Sequence, residues 1–246
     1  MARILLIETA TEVCSAAIAV DGEVVALVEE PHSLSHAALL TLQIDACVRT
    51  SGIPLTTLDA VAVSRGPGSY TALRVGAAVA KGICYTLDKP LIAVDTLHAL
   101  AWASRETFNP QPSTFNPQPS TFNLFLPMLD ARRQEVWLAA YDAELRTLLP
   151  AQPLVLENDL FENLIRPLEP DREKVVLVVS GNGSEKLRNV NIRENVVFSP
   201  QKKCSAEHLK MIAERNFQQA VFQDVAYFEP FYMKPPNITT PSRAPF

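Results

Sequence analysis

The stretch Ser64–Gly82, SRGPGSYTALRVGAAVAKG, decides how the chain is read. A glycine-proline loop runs out of an apolar segment into a helical pattern. Such a loop can hold a phosphate at a helix N-terminus, or it can be a turn that lets a helix pack closely. Gly66, Pro67 and Gly68 allow a sharp turn, and Ser69 stands where a helix cap is expected. Thr71 breaks the Gly-x-Gly-x-x-Gly pattern, and no Gly-Lys-Ser/Thr follows. Downstream, Ala72, Gly76, Ala80 and Cys84 recur every four residues as one row of small side chains, with Ala77 and Val79 beside it. A glycine inside a helix costs about 1 kcal/mol against alanine, so close packing is the simplest compensation for Gly76 and Gly82. The loop therefore reads as a turn that launches a packing helix.

Upstream, Arg3–Thr9, Cys14–Val20 and Glu23–Glu29 read as strands, and Asp21-Gly22 is a two-residue hairpin turn. A helix is expected over Leu34–Ser51, stopped by Gly52. Its apolar residues Leu39, Leu40, Leu42, Ile44, Cys47 and Val48 wrap beyond one stripe, so either the helix is buried on both sides or one side is a candidate partner surface. A strand at Leu58–Ser64, the glycine-loop helix to Leu87, a strand at Leu91–Val94 and a helix at Leu97–Ser104 complete a mixed α/β lobe over residues 1–106. Residues 107–123 hold the heptad Phe-Asn-Pro-Gln-Pro-Ser-Thr twice in succession, and its prolines exclude regular helix. This reads as an inserted linker. A second lobe is expected over 124–226, with strands at Leu124–Leu129, Glu135–Tyr141, Thr147–Glu157 and Lys174–Ser180 and helices at Leu160–Leu168 and Ala206–Phe222. The proline-rich end, 227–246, reads as extended or disordered.

Composition narrows the function. The chain has 246 residues, 48% hydrophobic, with 22 basic against 27 acidic side chains, an ordinary globular balance without the basic surplus of a stand-alone nucleic-acid binder. No apolar run reaches the length of a membrane span, the N-terminal apolar run is too short for a signal peptide, and the four cysteines form no Cys-x-x-Cys pair. A cytoplasmic protein with reduced thiols is expected. His32 and His36 have the i,i+4 spacing of a helical metal pair but no third ligand, so a capping or surface role is preferred. Gly181-x-Gly183 after an apolar strand reads as a strand-to-helix turn rather than a nucleotide loop.

The segments LLIETATEVCSAAI, SRGPGSYTALRVGAAVAKG, KPLIAVDTLHALA and MLDARRQEVWLAAYD resemble the TsaB (YeaZ) family. The resemblance is dense over 2–104, good over 124–142 and thin beyond. It implies an actin/Hsp70-like ATPase fold of two ribonuclease-H-like lobes, each a mixed sheet with flanking helices. It also implies a non-catalytic scaffold for threonylcarbamoyl transfer to adenosine in tRNA. Such a scaffold pairs with the catalytic paralogue TsaD and the ATPase TsaE and meets tRNA through that complex. Separately, the same apolar helices can meet their own copies, so a homodimer is expected of the chain alone, and no cofactor is expected. The implied partner surface is His36, Leu39, Leu40, Gln43, Ile44, Cys47, Leu73, Gly76, Ala77, Ala80 and Cys84.

The paralogue's metal site resembles Pro-Leu-x-x-Val-Asn-His-x-x-x-His, whereas this chain has Thr96 and Leu100 at the two histidine positions. Neither replaces an imidazole. Glu8 stands where the family usually has Asp, and Thr9, Thr11 and Ser15 match hydroxyl positions of the phosphate-facing turn. Together with Gly181 and Gly183 they would outline a vestigial nucleotide site, but the preferred reading is that Glu8 only orders the turn. The competing reading is a metal-dependent glycoprotease-like enzyme or an ATPase of the same superfamily.

Overall fold

A computed structural model of the chain describes residues 1–32, 35–108, 122–168, 175–189 and 195–234. The first lobe holds β1 (Arg3–Glu8), β2 (Cys14–Val20), β3 (Glu23–Glu30), α1 (His36–Ser51), β4 (Ala60–Gly66), α2 (Tyr70–Leu87), β5 (Leu91–Asp95) and α3 (Thr96–Phe108). Its sheet order is β3-β2-β1-β4-β5. The first three strands form an antiparallel meander, and β4 and β5 run parallel to β1. Asp21 and Gly22 both have positive φ, 50° and 80°, which matches the strand twist at a two-residue hairpin.

The second lobe holds β6 (Phe122–Asp130), β7 (Glu135–Tyr141), β8 (Thr147–Val155), α4 (Asn158–Ile165), β9 (Val175–Ser180) and β10 (Val196–Phe198). Its order, β10-β9-β6-β7-β8, repeats the same plan: an antiparallel meander followed by two strands parallel to its first. The chain is thus two ribonuclease-H-like lobes, as the resemblance implies. Pro150 and Pro153 fall in β8, an edge strand with register shifts, the setting in which a sheet tolerates proline.

β1, β2 and β4 are apolar almost throughout because both sheet faces are covered. Leu5, Ile7, Val61 and Val63 face α1 and α2 on one side. Ile4, Leu6, Ala62 and Val94 face the other side, where Ala99 of α3 and Ile212 and Ala213 of α5 (Lys210–Gln218) lie.

That last packing corrects the expected lobe boundary. The segment from Ala206 onward belongs to the first lobe's core, although it follows the second lobe in sequence. The final helix also stops at Gln218 rather than Phe222, because Ala220 turns to φ 53° and Val221 N–H closes back on the Asn216 carbonyl. Residues 227–234 of the expected tail, which follow a turn, are held on the first lobe: Phe228 is a core residue. The proline heptads and the tail beyond 234 fall outside the described residues, apart from the flanks Thr107–Phe108 and Phe122–Asn123. Among the described residues no helix is long and apolar enough to cross a membrane.

Candidate functional site: the glycine loop, the interlobe cleft and the α1–α2 face

The glycine loop is filled by the chain itself. A Cβ on Gly68 would strike the Ala10 carbonyl, and one on Gly66, at φ 114°, would strike the Phe231 carbonyl. A Cβ on Gly76 would collide with Thr9 Oγ1. Ser69 N–H donates to the Ala10 carbonyl at 2.7 Å, and its side chain makes no cap, contrary to the sequence expectation. The β1–β2 turn thus takes the Ser69 N–H that a side-chain cap or an anion would otherwise use, while Gly68 and Ser69 also line the cleft described below. The glycines are explained by close backbone approach.

The residues of the suggested nucleotide site separate accordingly. Glu8, Thr9 and Ser15 are buried beneath the turn. The Glu8 carboxylate accepts from Ser64 Oγ at 2.9 Å and from Ala10 N–H at 2.5 Å. Burial pushes its pKa up to about 7 against the pull of these hydrogen bonds. Ser15 Oγ accepts from Ala206 N–H at 2.9 Å. Gly181 and Gly183 pack against the Met128 and Leu129 backbone.

Of the six, only Thr11 lines the cleft of about 910 Å³ between the lobes, beside Glu12, Tyr70, Asp130, Trp137 and Asn182. Asn182 was not singled out in the sequence. Its amide donates to Glu12 Oε2 at 3.2 Å while its carbonyl accepts from Asp130 N–H at 2.9 Å, which ties the lobes across the cleft.

The expected partner surface needs a correction. Leu40, Gln43, Ile44 and Cys47 of α1 and Leu73, Gly76, Ala77, Ala80 and Cys84 of α2 are buried within the first lobe. Gln43 Nε2 donates to the Cys14 carbonyl at 3.0 Å, and Cys47 Sγ donates to the Ala16 carbonyl at 3.1 Å. These residues hold the helices on their own sheet. Two of the predicted set keep partial exposure: Leu39, and His36, whose Nε2 lies 3.3 Å from the Val13 carbonyl. His32 lies on the surface 3.4 Å from Lys203 Nζ, so the two histidines serve different neighbours.

The outward face is carried by adjacent positions. Leu42 is 63% exposed, Ala38, Thr41, Thr71 and Ala78 are exposed, and Val75, Val79 and Ile83 are half-buried. Nothing lies within 4 Å of a Cβ built on Gly82.

Thr96 and Leu100 are fully buried. A hydroxyl and an alkyl group do not fit a transition-metal pair there. Among the described residues no three of His, Cys, Asp or Glu gather as a metal-sized group. His98, between them, stacks on Tyr141 of the second lobe with ring centroids 5.0 Å apart, and burial lowers its pKa.

A family model described as "TsaD: tRNA N6-adenosine threonylcarbamoyltransferase" matches residues 28–243. The tRNA threonylcarbamoyladenosine biosynthesis protein TsaB of Escherichia coli K12 is 28% identical over 244 residues, 94% of each chain. The protein of that name from Haemophilus influenzae is 38% identical over 103 residues, covering 42% of this chain and 43% of its own length. A tRNA N6-adenosine threonylcarbamoyltransferase of Nitratidesulfovibrio vulgaris is 45% identical over 73 residues, 30% of this chain and 20% of its own. The solved structure of YeaZ from Pseudomonas aeruginosa superposes with a TM-score of 0.75 at 23% identity, over 94% of this chain and all of that one. A duplicated ribonuclease-H-like fold, a glycine loop closed on its own turn and this breadth of match agree: the chain belongs to the TsaB (YeaZ) family, within the wider family that the transferase model describes.

Proposed function

We propose that this chain is a non-catalytic docking subunit in the synthesis of threonylcarbamoyladenosine on tRNA. It pairs with the catalytic paralogue TsaD, works with the ATPase TsaE, meets tRNA through the assembled complex, and self-associates when alone. Its place is the cytoplasm.

One observation carries the reading. Between Thr71 and Ile83 the outward face of α2, joined to Ala38, Thr41 and Leu42 of α1, is small or apolar; Arg74 and Lys81 lean away to its edge, and the exposed Asp45 and Arg49 further along α1 pair with each other. Depletion of charge at the centre of a surface is the mark of a protein interface. The open Gly82 allows a partner helix to approach closely. The family model spans α1 and α2, so the transferase carries counterpart helices, and like surfaces pair about a pseudo-twofold axis.

The donor set supports a non-catalytic role: Thr96 and Leu100 stand where the paralogue's pattern has ligands. The filled glycine loop speaks against the ATPase reading.

The test is light-scattering mass of the chain alone and mixed with TsaD from the same organism. A one-to-one complex that replaces a homodimer, and that Ala78→Arg abolishes, is the expected result. Absence of any complex at micromolar concentrations overturns the reading.

A further inference from the structure

The segment after α5 does not trail into solvent. Gln223 N–H donates to the Leu91 carbonyl at 2.8 Å, which pairs the segment with the open edge of β5. A tight turn at Asp224 follows, with Phe228 N–H on the Asp224 carbonyl at 2.8 Å. Phe228 then enters the core that also holds Ala77, Ala80 and Cys84 of α2. Lys81 Nζ donates to the carbonyls of Ala226 and Phe228 at 3.0 and 3.1 Å. Phe231 N–H donates to the Arg65 carbonyl at 2.6 Å, and its own carbonyl fills the space that Gly66 leaves open. The Tyr232 ring lies 4.5 Å from that of Tyr70, and its hydroxyl accepts from Arg74 Nε at 3.3 Å. The Arg74 guanidinium sits 4.5 Å over Tyr70. Lys234 reaches Glu135 on β7 of the second lobe.

These contacts run in order. As the segment's numbering rises from Ala226 to Tyr232, its partners on α2 fall from Lys81 to Arg74 and Tyr70. Tyr70, Arg74, Lys81 and Tyr85 share one side of α2 by their spacing. The segment is therefore an antiparallel strap along that side, and α1 lies along the opposite one. Between them remains the outward ridge of Thr71, Val75, Ala78 and Gly82. The strap carries Tyr227, 84% exposed, and Phe231, 43% exposed, while Tyr85, 86% exposed, stands one turn beyond Lys81 on the same side of α2. Large exposed aromatics on rigid backbone are typical interface anchors.

We propose that residues 223–234 are a working wall of the docking face: they fix α2 in place and present Tyr227 and Phe231 to the paralogous catalytic subunit. The inference rests on the docking role proposed above. The occupant follows from the family match, which runs from residue 28 to 243 and so covers α1, α2 and the whole strap. The transferase thus has a counterpart for each element that lines the face.

The test uses the full chain with Lys81→Ala and Tyr232→Ala combined. These changes release the strap without touching the outward ridge. Hydrogen exchange of α2 in the free chain and affinity for TsaD are both measured. The expected result is exchange in residues 70–87 faster by about tenfold and binding weaker by about tenfold, the usual size for loosening an anchor. Tyr227→Ala should weaken binding and leave exchange unchanged.

Wild-type capture of TsaD with equal capture by both strap variants overturns the strap proposal and leaves the docking role standing. Unchanged exchange in the double variant overturns the claim that the strap fixes α2. A wild-type chain that captures no TsaD overturns both readings, and Ala78→Arg, which alters the ridge alone, shows whether any capture seen uses the face at all.

Discussion

Gly76 of α2 lies directly against Thr9 at the end of β1, so that any side chain at 76 would drive into the threonine hydroxyl. This contact seats the helix on the sheet edge where the glycine loop turns. It sets two opposing terms against each other at one position. Alanine gains about 1 kcal/mol of helix propensity over glycine. Overpacking a closed core costs about 1–3 kcal/mol.

Gly76→Ala should therefore destabilise the chain by up to about 2 kcal/mol, because Thr9 is fully buried and has nowhere to move. Adding Thr9→Ala should recover most of that loss, since Thr9 Oγ1 has no hydrogen-bond partner to lose. Urea midpoints of the two single variants and the double variant decide it. A stabilised Gly76→Ala would show that the contact does not constrain the helix.

Gly82 is the opposite case on the same helix. Nothing surrounds it, so Gly82→Ala should stabilise the free chain by about 1 kcal/mol through propensity alone. Gly82→Arg should leave the melting temperature near wild type and abolish pairing with TsaD. Normal pairing by the arginine variant would move the docking face elsewhere.

Two buried titrating groups oppose each other in pH dependence. Glu8 is raised from 4.5 to about 7 by burial, so between those values the unfolded chain has lost a proton that the folded chain keeps. Stability falls by about 3 kcal/mol as pH rises through that window, and falls no further above it. His208 is lowered from 6.5 to about 4, first by burial and then by the Lys210 charge. Below 6.5 the unfolded imidazole binds a proton that the folded one refuses, so stability rises with pH by a similar amount, about 3 kcal/mol. His98, lowered by burial, adds to this second limb. In wild type the Glu8 and His208 limbs nearly cancel from pH 4.5 to 6.5, leaving only the shallow rise contributed by His98. Glu8→Gln should expose the rising limb and His208→Gln the falling one. Denaturant titrations across this range would refute the assignment if both variants stayed flat.

The Asn182 bridge makes a smaller prediction. Asn182→Ala loses the bonds to Glu12 and to the Asp130 N–H, at a cost of about 1–2 kcal/mol. Asn182→Asp should cost more, since it sets a second carboxylate beside Glu12. Equal melting temperatures for the two variants would show that the bridge does not hold the lobes.

Much of the fold was legible in local pattern. The Asp21-Gly22 turn, the apolar strands from Arg3 to Val63 and the helix after Ser69 each follow from a few neighbouring residues. The motif segments were enough to point to the family. The missing imidazoles at 96 and 100 were equally plain, because a ligand pair is a matter of residue type and spacing.

The site was less legible. The row Ala72, Gly76, Ala80, Cys84 has the same spacing whether a partner helix or the chain's own sheet lies against it. Only the packed structure shows that Thr9 and the sheet occupy it and that the free surface begins at Val75, Ala78 and Gly82. Likewise, the amphipathic pattern of Lys210–Gln218 announces a buried stripe without saying which lobe buries it, and nothing in a proline-rich tail shows that Phe228 fills the first lobe's core. The sequence determined most of the elements, their order and the family, because those depend on neighbours along the chain; the short β10 and the true end of the last helix escaped it. The tertiary structure alone decided which helix faces remain free and where the last segment returns, because those depend on contacts between residues more than a hundred positions apart, such as Lys81 with Phe228.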